Sequence, residues 1–128
     1  MSIELKMLVW SVALTIVQML IAALGAQLNV GLAPLAGNRE HMPAIEGWAG
    51  RAVRAQRNML ENIVLFAALV LVAQVAGKTN ATTALGAQIF FWARPVYAGV
   101  YIAGVPWLRT GVWGMSIVGL LMILVQLV

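Results

Sequence analysis

The sequence predicts an all-α integral membrane protein, folded as a single four-helix bundle over residues 1–128. Apolar residues make up 62% of the chain and charged residues only 9%, whereas roughly a quarter of the residues in a soluble domain are charged. The uncharged stretches are also long enough to cross a bilayer, which takes about 20 apolar residues per helix. A chain of 128 residues has room for four such helices and little else.

Four spans follow one another along the chain, and all must be helical because lipid offers no partner to an unpaired backbone group. The apolar run after Lys6 is longer than a signal-peptide core of about 7–15 residues, so we expect the first span to be retained. The longest connection, Gly31 to Gly47, contains two prolines and is expected to be a loop. Residues 77–78, glycine and lysine, suit the end of a helix, and Pro106 suits the start of the next one. We place the spans at about residues 5–31, 49–76, 82–104 and 109–127.

The distribution of charge indicates an orientation and argues against some partners. Four spans put both termini on one side of the membrane and the first and third connections on the other. Most arginines accompany those connections, which we therefore expect to face the cytoplasm.

The net charge of +4 is spread over membrane segments without a basic arm, so we expect no binding of nucleic acid. With no cysteine and a single histidine, the chain is expected to hold no metal.

A polar stripe opens the second span. At about 100° per residue, its five side chains fall within about one third of the helix circumference, and the rest of the helix surface is mostly apolar. Ionisable groups at membrane depth are costly and usually face a cavity or a partner. The stripe consists of Arg51, Arg54, Arg57, Asn58 and Glu61.

A second polar set lies on one face of the third span, where Arg94, Tyr97 and Tyr101 share a helical spacing, and Arg109 follows at the start of the fourth span. If both sets face the same interior, they line a pocket that prefers an anion. Arginine binds carboxylates bidentately and a glutamate accepts from an ammonium group, so a small peptide with two carboxylates and one amine fits. Glutathione is such a peptide, and a nearby guanidinium would lower the pKa of its thiol.

A purely structural interpretation stays open beside this one. Arg57 and Glu61 lie four residues apart and could neutralise each other. The remaining charged side chains could pair across helices or extend to the lipid headgroups. The two tyrosines, taken alone, are more typical of packing, with a hydrogen-bonded hydroxyl, than of binding.

The motifs themselves resemble a known family. The second span carries Arg54-Ala-Gln-Arg-Asn58-Met-Leu-Glu61-Asn62, the third carries Arg94 with Tyr97 and Tyr101, and Arg109-Thr110 follows a short turn. In order, spacing and chain length they resemble the MAPEG family, membrane-associated proteins in eicosanoid and glutathione metabolism, and particularly its short bacterial members. The resemblance implies a homotrimer with glutathione bound as co-substrate between subunits, toward the cytoplasm. With the orientation that the charges indicate, we expect a bacterial inner-membrane protein with both termini periplasmic. By position it implies that Arg109 is catalytic and that the glutathione-binding residues are Arg54, Arg57, Asn58, Glu61, Arg94, Tyr97 and Tyr101.

We therefore predict a glutathione-dependent transferase or peroxidase that acts on small lipophilic electrophiles arriving through the bilayer. A non-catalytic membrane scaffold that binds lipid or glutathione is the alternative. A small multidrug transporter also has four short spans, but it needs an acidic residue inside its first span. Here the only candidate, Glu4, lies at the very end of that span, which disfavours a transporter.

Overall fold

A computed structural model describes all 128 residues, and every regular element in it is an α-helix. The four long helices begin and end within three residues of the predicted spans. A short fifth helix, α2, lies in the first connection. The helices are α1 (Ile3–Val30), α2 (Leu32–Ala36), α3 (Gly47–Val75), α4 (Ala81–Ala103) and α5 (Pro106–Leu127).

Three of the helices, α1, α3 and α5, are long and apolar enough to cross a membrane. The prediction of an all-α membrane protein is thereby supported. Helix α4 has 23 residues, a sufficient length, but Gln88 and Arg94 lower its mean hydropathy. The crossing of the membrane by α4, and with it the four-span topology, stays a prediction.

Helix α2 was not predicted, because the first connection reads as a loop. Gly31, at a positive φ of 87°, ends α1 and lets the chain change direction. The next residues then form one short helix. Pro34 is tolerated there because the N–H groups in the first turn of a helix have no helical partner.

The other helix ends follow the expected signals. Asn80 and Thr83 form a capping box at the start of α4, each side chain bonding the backbone of the other residue. Gly104, with a φ of 82°, takes the left-handed conformation that ends α4. Pro106 begins α5 immediately afterwards. Pro95 lies within α4, which runs through it although the proline removes one helical N–H.

Small residues allow α4 and α5 to pack closely. A Cβ added to Gly86 would lie 2.7 Å from the carbonyl oxygen of Gly119, and one added to Gly119 would lie 2.6 Å from that of Gly86. Close packing of this kind is typical of helices in membranes, where van der Waals contact replaces the hydrophobic effect as the main attraction. Beside this crossing, the stacked rings of Phe66 and Phe90 form the centre of the apolar core, with centroids 4.1 Å apart.

The bundle has two ends with different contents. The terminal end contains the start of α1, the connection between α3 and α4, and the end of α5. The loop end contains the end of α1, α2, the start of α3, and the connection between α4 and α5. Both predicted polar sets lie toward the loop end.

Candidate functional site

The polar stripe of α3 is largely exposed in the single chain. Arg54, Arg57 and Glu61 are exposed, and Asn58 is half-buried. Neither Arg54 nor Arg57 donates a side-chain hydrogen bond within the chain. The arginines that do are Arg39, Arg51 and Arg94. Charged groups thus lie free on the surface of a helix apolar enough to cross a membrane. Such groups require a ligand, a partner or water.

Arg51 differs from the rest of the stripe. Its Nε donates a hydrogen bond of 2.7 Å to the carbonyl oxygen of Ile102 in the last turn of α4. The carbonyl groups of a last helical turn have no helical donor, so this bond caps α4 and ties it to α3. The side chain also lies against Gly104. Arg51 therefore has a structural contact of its own at the rim of the loop end.

Arg94 is buried where α3, α4 and α5 meet, with 1% of its surface exposed. Its Nη2 donates a hydrogen bond of 2.6 Å to Oδ1 of Asn58, and its Nη1 donates one of 3.3 Å to Oγ of Ser116. The guanidinium also lies 4.5 Å from the centre of the Tyr97 ring. All of these neighbours are uncharged.

Two tyrosines and Arg109 continue this group of contacts. The rings of Tyr97 and Tyr101 meet edge to face, with centroids 5.7 Å apart. The guanidinium of Arg109 lies over the ring of Tyr101, at 4.4 Å from its centre. A cation over an aromatic face is held by the negative charge of that face. The uncharged ring of Tyr101 therefore orients the Arg109 guanidinium without neutralising its positive charge.

A cavity of about 200 Å³ lies between α3, α4 and α5 beside these side chains. Two of its lining residues were not predicted. Thr110 follows Arg109 directly, and Trp113 lies one helical turn further along α5, so the spacing from Arg109 could have indicated both. The hydroxyl of Thr110 is held by the carbonyl oxygen of Pro106. The cavity is lined by Asn58, Tyr97, Arg109, Thr110 and Trp113.

Arg57 belongs to a different cavity. This cavity has a volume of about 520 Å³ and lies between α1, α2, the first connection and the opposite side of α3. Its walls are mainly apolar, with Gln27, Arg39 and Gln56 as further polar groups. Within the single chain, Arg57 is thus separated from the cavity that Asn58 and Arg109 share.

The structure joins five of the eight predicted site residues by direct contact: Asn58, Arg94, Tyr97, Tyr101 and Arg109. Arg54 and Glu61 lie on α3 one turn to either side of Asn58, exposed and outside this contact group. The prediction that α3 and α4 present their polar residues to one region is thus consistent with the geometry. The binding of glutathione by these residues stays a prediction.

The electrostatics of the loop end favour an anion. All six arginines lie toward that end, one in the first connection and five in α3, α4 and α5, against the carboxylates of Glu40, Glu46 and Glu61. An excess of fixed positive charge attracts anionic ligands and raises their local concentration. No group of three or more histidine, aspartate or glutamate side chains is placed to hold a metal ion.

Comparison with known proteins identifies the family to which the chain belongs. The profile of the MAPEG family matches residues 7–128, which is nearly the whole chain. The chain belongs to the MAPEG family. This membership makes it a membrane protein of the kind found in glutathione and eicosanoid metabolism. No curated protein and no solved structure gives a significant match to this MAPEG protein.

Proposed function

We propose that this MAPEG protein is a membrane-bound glutathione transferase or peroxidase whose substrates are small lipophilic electrophiles. The observation that supports the proposal best is the contact group at the loop end. It brings an un-neutralised guanidinium, Arg109, together with the phenol of Tyr97 and the amide of Asn58 around a cavity of about 200 Å³, and the ring of Tyr101 lies under that guanidinium. Two of the three helices that form this group, α3 and α5, are apolar enough to cross a membrane, so a lipophilic substrate can approach from the bilayer.

The chemistry of the polar groups matches that of glutathione. The tripeptide has two carboxylates and one ammonium group. Arg54 can bind a carboxylate bidentately, and Glu61 can accept from the ammonium group. Asn58 and Tyr97 line the cavity and supply uncharged polar contacts. Arg57 joins them only if the second cavity takes part in binding.

Arg109 is proposed as the catalytic residue. Its positive charge would stabilise the thiolate of bound glutathione and so lower the pKa of the thiol, whose proton leaves to solvent. In conjugation, the thiolate sulfur forms a bond to the electrophilic carbon while the leaving group departs with its electron pair. In peroxide reduction, two glutathione molecules are oxidised to the disulfide while a hydroperoxide becomes an alcohol and water.

A homotrimer would explain the exposed stripe. Arg54, Arg57 and Glu61 are exposed in the single chain on a helix that is otherwise suited to lipid. Charged groups facing hydrocarbon cost several kcal/mol, so another copy of the chain is expected to cover them. The proposed site then lies between subunits, and the second cavity of one subunit can face the stripe of its neighbour.

The proposed orientation puts the loop end in the cytoplasm and both termini in the periplasm of a bacterial inner membrane. Because the chain has no cysteine, single cysteine substitutions can report the orientation. Asn38→Cys in the first connection should react only with a membrane-permeant thiol reagent, and Thr79→Cys at the terminal end should also react with an impermeant one. The reverse pattern of labelling would overturn this orientation.

An activity assay separates the enzyme from the scaffold. The purified protein in liposomes should conjugate glutathione to a chloronitrobenzene electrophile or reduce an organic hydroperoxide, at a rate proportional to the protein added. Glutathione binding by calorimetry without turnover across a panel of both substrate types would favour the scaffold. Absence of both binding and turnover would reject the proposed function.

A further inference from the structure

Arg94 is a buried guanidinium without a carboxylate near it. Only 1% of its surface is exposed, and its polar contacts are the amide oxygen of Asn58 and the hydroxyl of Ser116. Its Nε has no hydrogen-bond partner. A buried charge is costly unless it is paired. Arg94 is thus an expensive residue for packing alone.

Its contact with Asn58 determines which way that amide points. The oxygen and nitrogen of an asparagine amide must be told apart by their hydrogen bonds. Arginine can only donate, so the atom 2.6 Å from its Nη2 must be the Asn58 oxygen. A second donor, Nδ2 of Asn62, lies 3.1 Å from the same oxygen. The orientation of the Asn58 amide is therefore fixed from two sides.

The other half of the Asn58 amide is left for a ligand. Its Nδ2 makes no hydrogen bond within the chain, and Asn58 lines the cavity that it shares with Tyr97 and Arg109. With the oxygen held inward, only the N–H₂ donor can face the cavity.

Ser116, on α5, contacts the same guanidinium from a third helix. Its side chain is fully buried on α5, and its Oγ accepts from Nη1 of Arg94 while Nη2 bonds Asn58. Two bonds from one planar guanidinium restrict its rotation more than one bond would. The ring of Tyr97 covers the same guanidinium at 4.5 Å.

We propose that Arg94 and Ser116 are positioning residues that hold Asn58 with its N–H₂ group toward the bound ligand, so that the ligand group at this point is an acceptor. On the proposed function, from which this inference extends, that group is a carboxylate or amide carbonyl of glutathione. Arg94 and Ser116 act through Asn58. Because Arg94 is only 1% exposed, this positioning role replaces the direct glutathione contact that the family resemblance implies for it.

The substitution Asn58→Asp tests the orientation because it has two opposite expected effects. The new carboxylate keeps an acceptor against Arg94 and neutralises its buried charge, so the melting temperature without ligand should rise. The atom facing the cavity changes from donor to acceptor, so glutathione affinity should fall by about tenfold or more. Asn38→Asp makes the same charge change in the exposed first connection and should alter neither quantity.

The two effects can be judged separately. If wild type binds glutathione and Asn58→Asp binds it equally well or better, the proposed orientation is wrong. If the wild type does not bind glutathione, the proposed function fails, and the melting temperature alone then decides the arrangement. A rise in melting temperature would still support the Arg94 contact, and a fall would overturn it.

Ser116→Ala provides a second variant with a milder effect on folding. If Ser116 positions Arg94, the KM for glutathione should rise severalfold while the KM for the electrophile and kcat stay close to wild type. A residue that only supports the fold would lower the melting temperature and leave both KM values of the folded fraction unchanged. That second pattern would contradict the proposal for Ser116.

Discussion

The two ends of the bundle use polar residues in opposite ways. At the terminal end, polar side chains pair with one another across helices: Ser2 with Gln74 at 2.9 Å, Thr83 with Glu4 at 2.9 Å, and Asn80 with Gln126 at 2.8 Å. At the loop end, Arg54, Arg57 and Glu61 are exposed. Polar groups that satisfy each other hold helices together, whereas unpaired groups remain available to bind something else.

Burial sharpens this difference. Glu4 is 3% exposed, and its carboxylate accepts from the Thr83 hydroxyl on α4. Arg109 is half-buried and contacts an aromatic ring instead of a carboxylate. Arg109 also lines a cavity, and a charge left without a counter-charge beside a cavity is typical of function. Substitutions at the two ends should therefore separate stability from activity.

The largest effect is expected at the loop end, from Arg109→Ala. Removing a group that stabilises a developing anion typically costs about 10²–10³-fold in kcat, and we expect a loss of that size in glutathione conjugation. The melting temperature should change little, because Arg109 makes no hydrogen bond through its side chain within the chain. Lys78→Ala, which removes an exposed positive charge at the terminal end, is the control and should retain activity. Equal losses in both variants would contradict a specific role for Arg109.

The next largest effect is expected at the terminal end, from Thr83→Val. The substitution keeps the shape of the side chain and removes the hydroxyl that donates to buried Glu4 and accepts from the backbone N–H of Asn80. An unsatisfied buried acceptor alone costs about 1–3 kcal/mol, so the free energy of unfolding should fall by at least that amount in a denaturant titration. The kcat of the folded protein should match wild type. A loss of activity without a loss of stability would reverse the roles assigned to the two ends.

A smaller effect is expected from Arg54→Gln at the loop end. One charge-assisted contact to a carboxylate is lost, which should weaken glutathione binding by about tenfold in calorimetry. Stability should stay constant, because the side chain is exposed. Lys78→Gln, which removes an exposed positive charge at the terminal end, is the control. If both variants bind glutathione like wild type, the stripe on α3 does not bind the carboxylates.

The smallest effect is expected from Arg51→Met, which removes the cap on α4 while keeping the aliphatic part of the side chain. The hydrogen bond to the Ile102 carbonyl has a net value of about 0.5–1.5 kcal/mol, and unfolding free energy should fall by that amount. Glutathione affinity should remain at the wild-type level. A loss of affinity larger than the loss of stability would make Arg51 part of the binding site.

Most of the fold could be predicted from the sequence because its signals are local. Long apolar runs determine the helices, and Asn80, Gly104 and Pro106 mark their ends. Helix α2 escaped prediction because Pro34 and Gly37, in the long first connection, are also typical of loops. Whether α4 crosses the membrane is equally undecided by composition, since Arg94 is polar enough to lower its hydropathy.

The helix faces that carry the candidate site were predictable, but the burial of each side chain was not. Helical spacing put Arg51 and Asn58 on one face of α3, and Arg94 and Tyr97 on one face of α4. Spacing does not indicate how far each side chain lies from the surface, so Arg51 as a cap and Arg94 as a buried residue emerged only from the structure. Ser116 gave no signal at all, because a serine in an apolar helix is usually a small packing residue.

Hydrogen–deuterium exchange of the purified protein, with and without saturating glutathione, tests the contrast between the two ends most directly. Glutathione should slow amide exchange in residues 51–62, 94–104 and 106–113 at the loop end. Exchange in residues 2–8 and 76–84 at the terminal end should not change. A glutathione analogue with alanine in place of cysteine should protect the same loop-end segments more weakly. Protection confined to the terminal end, or no protection by glutathione anywhere, would contradict the assignment of the loop end as the binding site.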